Sequence, residues 1–377
     1  MKEFSVSLKE KFRRIDYVIL LSVLGMAFLS VLTLSGVAGD SAGGPRRVVV
    51  QIAALLLGLF CVFAISMFDY EELLRRFTLP LFILSGAAMI ITLLVGTGPE
   101  GSTNRCWIEI PGLISIQTSE FVKIIFVLTF AKHIDRVKKK INHPLSVLAL
   151  CIHGGIITGL VLLTGDRGSA LVFAAIMAFM ILTGGLSLWY FAAAIGVIII
   201  LFPYVWTHLA LYQQQRILVG FDPMLDPEGY GYQPLRSLAT IASGGFRGAG
   251  YAGGSYYVTI PKYYTDFIFA VVAEKFGFFG VFSYIALMGV LVCRLIILAR
   301  RARKDCGANI CMGIAAIFIA QTLENIGMCL GMLPVVGITL PFLSYGGSSM
   351  LSSLLCIGVI ESVASHNQKY YFEREKA

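Results

Sequence analysis

The sequence predicts an all-α integral membrane protein, with about ten transmembrane helices and a large extracytoplasmic loop between spans seven and eight. Three observations carry this expectation. Of 377 residues, 57% are hydrophobic and 14% charged, against about 25% charged in soluble domains. Several apolar runs reach the ~20 residues that cross a bilayer as a helix. The basic clusters between those runs alternate in a way that orients the chain. The whole of 1–377 is expected to be a single membrane domain.

In chain order the spans fall at about 17–38, 48–67, 77–95, 119–134, 145–163, 168–184, 188–207, 267–297, 308–332 and 342–366. The fourth and sixth are short. The first is too long, and its flanks too weakly polar, for a cleaved signal peptide. Lys2, Lys9, Lys11, Arg13 and Arg14 precede it. Further clusters are Arg75 and Arg76, then Arg136 with Lys138, Lys139 and Lys140, then Arg300, Arg301, Arg303 and Lys304. Ten spans put all of these on one side with the C-terminal tail, and the positive-inside rule makes that side cytoplasmic. Arg46 and Arg47 fall outside and oppose the trend. The net charge of +8 is thus a topology signal. No basic stripe interleaved with aromatics points to nucleic acid. The eight cysteines form no CxxC pair and the five histidines no ligand pattern, so the thiols are expected to pack as small apolar groups. No structural metal or haem site is expected.

The external side carries the polar chemistry. The loop 208–266 is the longest non-membrane segment, and long ordered loops usually have a function. Its "LRSLATIA" stretch reads as a short helix lying on the membrane. Its "SGGFRGAGYAGGS" stretch is either a nest of amides for an anion or a flexible turn. The other long loop, about 96–118, leads into "TSEFVK", where Glu120 and Lys123 share a helix face. They are either an ion pair at the interface or the lining of a polar cavity. "TGDRG" holds Asp166 and Arg167, a tight turn with an Asp–Arg pair. Ser344, Tyr345, Gly346, Gly347, Ser348 and Ser349 fall at the outer end of the last span, where small residues permit close helix packing. Asp266 stands at the mouth of the eighth span. A helix N-cap is one reading of it. The bilayer midplane is comparatively apolar, with Glu274, Lys275 and Glu324 the main exceptions. A transporter would concentrate polar groups there; this pattern suits chemistry on the head group of a lipid-linked substrate.

The pieces "RCWIEIPGLISIQTSEFVK", "RILVGFDP", "GYQPLRSLATIASGGFRGAG", "TDFIFAVVAEKFGFFG" and "NIGMCLGMLPVVGITLPFLSYGGSS", in this order, resemble the SEDS family (shape, elongation, division and sporulation). The resemblance implies a peptidoglycan glycosyltransferase in the bacterial cytoplasmic membrane. Both termini would be cytoplasmic and the active site extracytoplasmic. It implies lipid II and lipid-linked glycan as substrates and a class B penicillin-binding protein as partner, amid membrane lipid. The family's catalytic acid carries over to Asp266, and the Glu and Lys of its "SEFAK"-like motif to Glu120 and Lys123. The chain departs from the family at "TGDRG" for QPDLG, at Arg236 for Gln, and at "AEK" for AEE.

Polymerisation needs a sugar hydroxyl to attack an anomeric carbon that bears a lipid pyrophosphate. A positioned base contributes roughly 10²–10⁴-fold, and Asp266 is the candidate. Arg216, Arg236, Arg247 and Lys262 are candidates to bind the pyrophosphate, with Ser344, Tyr345 and Ser348 as further substrate contacts. A divalent cation (Mg or Mn) is a further candidate, with Asp266 then its ligand instead; no organic cofactor is implied. A lipid II flippase and a non-catalytic scaffold for a penicillin-binding protein stay open as alternatives. Elongation, division and sporulation are not separated by these residues.

Overall fold

The structure, a computed structural model, describes residues 15–39, 43–98, 104–109 and 115–367. The basic cluster Lys2 to Arg14 and the end of the C-terminal tail lie outside the described residues. Twelve α-helices are described: α1 (Tyr17–Gly36), α2 (Gly44–Ser66), α3 (Tyr70–Val95), α4 (Thr118–Val137), α5 (Pro144–Leu163), α6 (Arg167–Gly184), α7 (Leu188–His208), α8 (Leu211–Phe221), α9 (Tyr232–Gly244), α10 (Ile268–Arg301), α11 (Asp305–Cys329) and α12 (Gly347–Asn367). A small antiparallel ribbon, β1 (Trp107–Glu109) and β2 (Ser115–Gln117), precedes α4. Ten of these helices overlap the ten stretches read as spans, the third beginning at Tyr70 and the last at Gly347. Nine are long and apolar enough to cross a membrane by composition alone. The tenth, α4, is 20 residues long, and its Glu120, Lys123, Lys132 and Asp135 dilute the hydropathy signal. Each of the four is paired within its own helix.

Local chemistry sets the helix ends. Asp16, Asp69 and Asp166 cap α1, α3 and α6 by accepting from first-turn amides, which satisfies orphan donors. Pro45 and Pro144 open α2 and α5, where a missing N–H is harmless. The centre is built by α11 and α12. α12 lies along α2, while α11 packs on α10, α6 and α4. α7 has no buried residue. It is apolar all round, and such a helix is stable where lipid covers its surface.

The long external loop folds as α8 and α9 followed by a clasp. α9 packs on α10 and α11, and Ser237 Oγ donates to Cys329 O at 2.7 Å. α10 is broken at Gly277, whose φ of 61° and ψ of −153° suit glycine. Glu274 and Lys275 sit at the break and are buried. Glu274 accepts from the amides of Ser255, Tyr256 and Tyr257 at 2.8–3.0 Å. Lys275 Nζ donates to Tyr251 O and Gly253 O and lies over the Tyr257 ring. Two of the charges expected at an apolar midplane are thus staples for the loop. The glycine-rich stretch is not an external anion nest. Its amides at Gly248, Ala249 and Gly250 bond to Gly244 O, Glu274 O and Lys275 O, and its last one, Ser255, binds the protein's own carboxylate.

Candidate active site

Asp266 stands at the end of that loop, half-buried. It is not the cap of α10. The N-cap is Phe267, and no side chain caps it. Three consecutive carbonyls fix the Asp266 segment. Tyr264 O accepts from Tyr345 N at 2.9 Å. Thr265 O accepts from Ser344 Oγ at 2.6 Å. Asp266 O accepts from Asn325 Nδ2 at 2.8 Å. Asn325 is buried in α11, and the same amide donates to Ile338 O at 2.7 Å. This ties Asp266 to the turn before it, at Gly337. Gly337 has φ +74°, and a Cβ there would stand 3.5 Å from Asp266 Oδ2. Glycine therefore leaves open the space in front of the carboxylate.

Lys262 precedes Asp266 by one tight turn. Its φ of +55° is a left-handed conformation that costs a residue with a Cβ roughly 1–2 kcal/mol. The turn repays this locally, because Lys262 O accepts from Thr265 N, Asp266 N and Thr265 Oγ1. Burial pushes the Asp266 carboxyl above the usual carboxylate range, while the Lys262 ammonium and a hydrogen bond to Thr265 pull it back. A base works only when ionised, so activity should rise with pH through this raised pKa. The acidic limb of the pH–rate profile is then expected above the ordinary 3.8. Lys262→Met removes the nearby cation and should move that limb to still higher pH. A limb at the same pH in both proteins would mean that the ammonium does not face the carboxylate.

Aromatic rings carry further cations to the site. The Arg47 guanidinium lies 3.9 Å from the Tyr264 ring centroid, a cation–π geometry. Tyr264 packs edge-on to Tyr345. Burial raises the Tyr345 phenol, and Arg47 and Arg46 oppose that rise. Arg47 thus joins the site, with Arg46 next to it in the chain, though no motif marks either. Their violation of the positive-inside trend was the signal. Gln51, buried in α2, donates to Ser30 Oγ and Ser344 O and accepts from Gly346 N. A lone amide in an apolar span was the signal for Gln51; Asn325 shares its helix with Asn309 and Gln321 and had no such mark.

The expected site residues divide into groups. Asp266, Lys262, Ser344 and Tyr345 come together. Ser344 is 2% exposed, and its hydroxyl also accepts from Leu340 N at 2.8 Å. It holds the Asp266 segment, with its hydroxyl engaged by backbone groups on both sides. Ser344→Ala should lower kcat with little change in KM and cost about 1–3 kcal/mol, the penalty for unpaired buried groups. A fall confined to KM would count against a positioning role. Ser348 is half-buried and donates to Ser115 O at 3.1 Å, bridging α12 and the β-ribbon.

Glu120 and Lys123 form a second, buried group. Lys123 Nζ is 2.7 Å from Glu120 Oε1, with side chains 2% and 8% exposed. Ser352 Oγ donates to Glu120 Oε2 at 2.8 Å, and Gln321 completes the cluster. α12 links both groups: its N-terminal approach holds Asp266, and its Ser352 holds Glu120. Asp166 does not pair with Arg167. Its carboxylate accepts from Gln117, Ser119 and Ser169 N, while Arg167 reaches Tyr212. Arg216 and Arg236 belong to the α8–α9 region, with Arg236 over the Tyr232 ring. Arg247 is exposed beside the helix break and is not brought to Asp266 by any contact among the described residues. The described residues contain no group of three His, Cys, Asp or Glu that could hold a metal ion.

The FtsW/RodA/SpoVE model, described as a cell cycle protein, matches residues 14–369. The chain belongs to this family. It is 30% identical over 367 residues to a probable peptidoglycan glycosyltransferase FtsW of Trichlorobacter lovleyi, covering 95% of this chain and 96% of the relative. It is 31% identical over 359 residues to the peptidoglycan glycosyltransferase MrdB of Escherichia coli, covering 94% of each. Among solved structures, a chain from a peptidoglycan synthase complex, studied for the structural coordination of polymerization and crosslinking, superposes with a TM-score of 0.82. Its identity is 29%, covering 94% of this chain and 98% of that one. The rod shape determining protein RodA of Thermus thermophilus superposes with a TM-score of 0.69 at 25% identity, covering 94% and 97%.

Proposed function

We propose that this family member is a peptidoglycan glycosyltransferase that polymerises lipid II at the outer face of the cytoplasmic membrane, with Asp266 as its base. The observation that carries the assignment is the Asp266 carboxylate. It is half-buried with a raised pKa, its backbone is held at three consecutive carbonyls, and a glycine leaves space in front of it. Asp266 takes the proton of the 4-hydroxyl of an incoming lipid II. The oxygen attacks the anomeric carbon of the lipid-linked strand, the bond from that carbon to the phosphate oxygen breaks, and the lipid pyrophosphate leaves. Lys262, Arg46 and Arg47 stabilise the departing charge, as cations aimed at developing negative charge do. One carboxylate plus pyrophosphate oxygens suits an Mg or Mn ion carried in by the substrate, which would supply further charge neutralisation.

The positive-inside rule reads the side that carries Arg75, Arg136 and Arg300 as cytoplasmic, which supports an external position for Asp266. The partner is a class B penicillin-binding protein, a reading supported by the likeness to a chain of a synthase complex that couples polymerization to crosslinking. The test is purified protein with its partner, given lipid II in detergent. Polymer is expected, because polymerisation needs no bilayer and flipping does. No polymer from a folded, partner-bound protein would overturn the assignment and favour a flippase or scaffold.

A further inference from the structure

A cavity of about 320 Å³ opens between α8, the turn after it and α9. It lies at the lower end of the range of small-molecule sites. Its wall is built to hold its shape. Asp226 accepts from Gly229 N and Tyr230 N through its carboxylate and from Gly231 N through its carbonyl. That turn presents Tyr230, and α9 follows with Tyr232 and Gln233. Gly220 of α8 packs on Pro334, and Val335 closes the cavity. Val335 is two residues before Gly337, which faces Asp266. One short segment, 334–337, thus touches the cavity at Val335 and the carboxylate at Gly337.

The lining identifies the ligand class. A pyrophosphate site would gather cations. This one carries one cation and one anion in its lining, Arg216 and Glu228, and adds Gln233 and two tyrosines. Balanced planar hydrogen-bonding groups beside aromatic rings fit a neutral saccharide, whose hydroxyls bond to the former and whose C–H faces lie on the latter. We propose that this cavity is a saccharide subsite that holds the growing glycan strand while Asp266 adds the next unit. The proposal rests on the glycosyltransferase reading above. It also moves Arg216 from the pyrophosphate to the sugar. Losing the subsite should release the strand earlier, without changing the chemistry at Asp266.

Tyr230→Ala and Gln233→Leu test this, since Tyr230 is 42% exposed and its removal leaves the Asp226 backbone turn intact. Wild type and variants, each with its partner, are given lipid II, and both initial consumption and product length are measured. Consumption within about twofold of wild type, with mean glycan length several-fold shorter, is expected. Wild-type lengths, or consumption that falls while length is kept, would overturn the subsite. In parallel, a soluble chitotetraose is titrated against the same proteins. Saturable binding that Tyr230→Ala weakens at least fivefold, and that inorganic pyrophosphate does not displace, is expected. Displacement by pyrophosphate, or equal binding by the variant, refutes a saccharide site. Wild type that makes no polymer would refute the parent reading instead, and the titration would still decide the cavity.

Discussion

Asp266→Asn is expected to leave a folded protein that binds its partner and makes almost no glycan. The loss should be on the order of 10²–10⁴-fold, the contribution of a positioned base. The substitution keeps size, and the three carbonyl anchors of the segment come from backbone atoms that it does not alter. Stability supplies an independent sign. The folded-state pKa of Asp266 is raised above its ordinary 3.8. Below that value both states are protonated and the group contributes no difference. As pH rises from there through the folded pKa, the unfolded chain ionises first, so the folded state loses ground. At neutral pH the amide avoids this cost. Asp266→Asn should therefore melt no lower than wild type at pH 7, with any advantage vanishing toward pH 3.8. Asp266→Glu should recover little, because the added methylene displaces the base from the roughly 2.6–3.2 Å reach that proton transfer needs. Lipid II polymerisation and thermal unfolding on the same preparations check both parts. Wild-type polymer from Asp266→Asn would refute the catalytic role.

Breaking the Glu120–Lys123 pair is expected to cost more stability than any other single change proposed here. Both side chains are nearly inaccessible, so removal of either leaves a charge with no water to solvate it. Such a loss typically costs about 3–5 kcal/mol. The expected asymmetry follows from the remaining partners. Without Lys123, Glu120 keeps the Ser352 hydroxyl and the Gln321 amide. Without Glu120, Lys123 loses the carboxylate it donates to. Glu120→Ala should therefore be at least as damaging as Lys123→Met. A double-mutant cycle on unfolding in detergent measures the coupling. Single losses that merely add would show that the two charges do not depend on each other.

Apolar length, a local property, determined most of the architecture. A described helix overlaps each of the ten apolar stretches, because a helix that must satisfy its backbone in lipid is specified by its own twenty residues. The helix-face argument likewise placed Glu120 beside Lys123, since residues three apart in one helix meet without help from the rest of the chain. The motif that carries Asp266 was also legible as a string of residues. What surrounds Asp266 was not. Ser344, Tyr345 and Asn325 are 59 or more positions away from it and touch the backbone of residues 264–266 only after α11 and α12 have packed. Glu274 and Lys275 looked like charges adrift in hydrocarbon, and Asp266 like a helix cap. The partners of the first two lie in a loop that folds back over a helix break, and α10 begins after Phe267. Arg47 read as a topology exception until Tyr264 arrived beneath it. Local periodicity fixes which residues share a helix face; which buried polar group meets which donor is decided by helix packing, because burial removes the water that would otherwise satisfy them all.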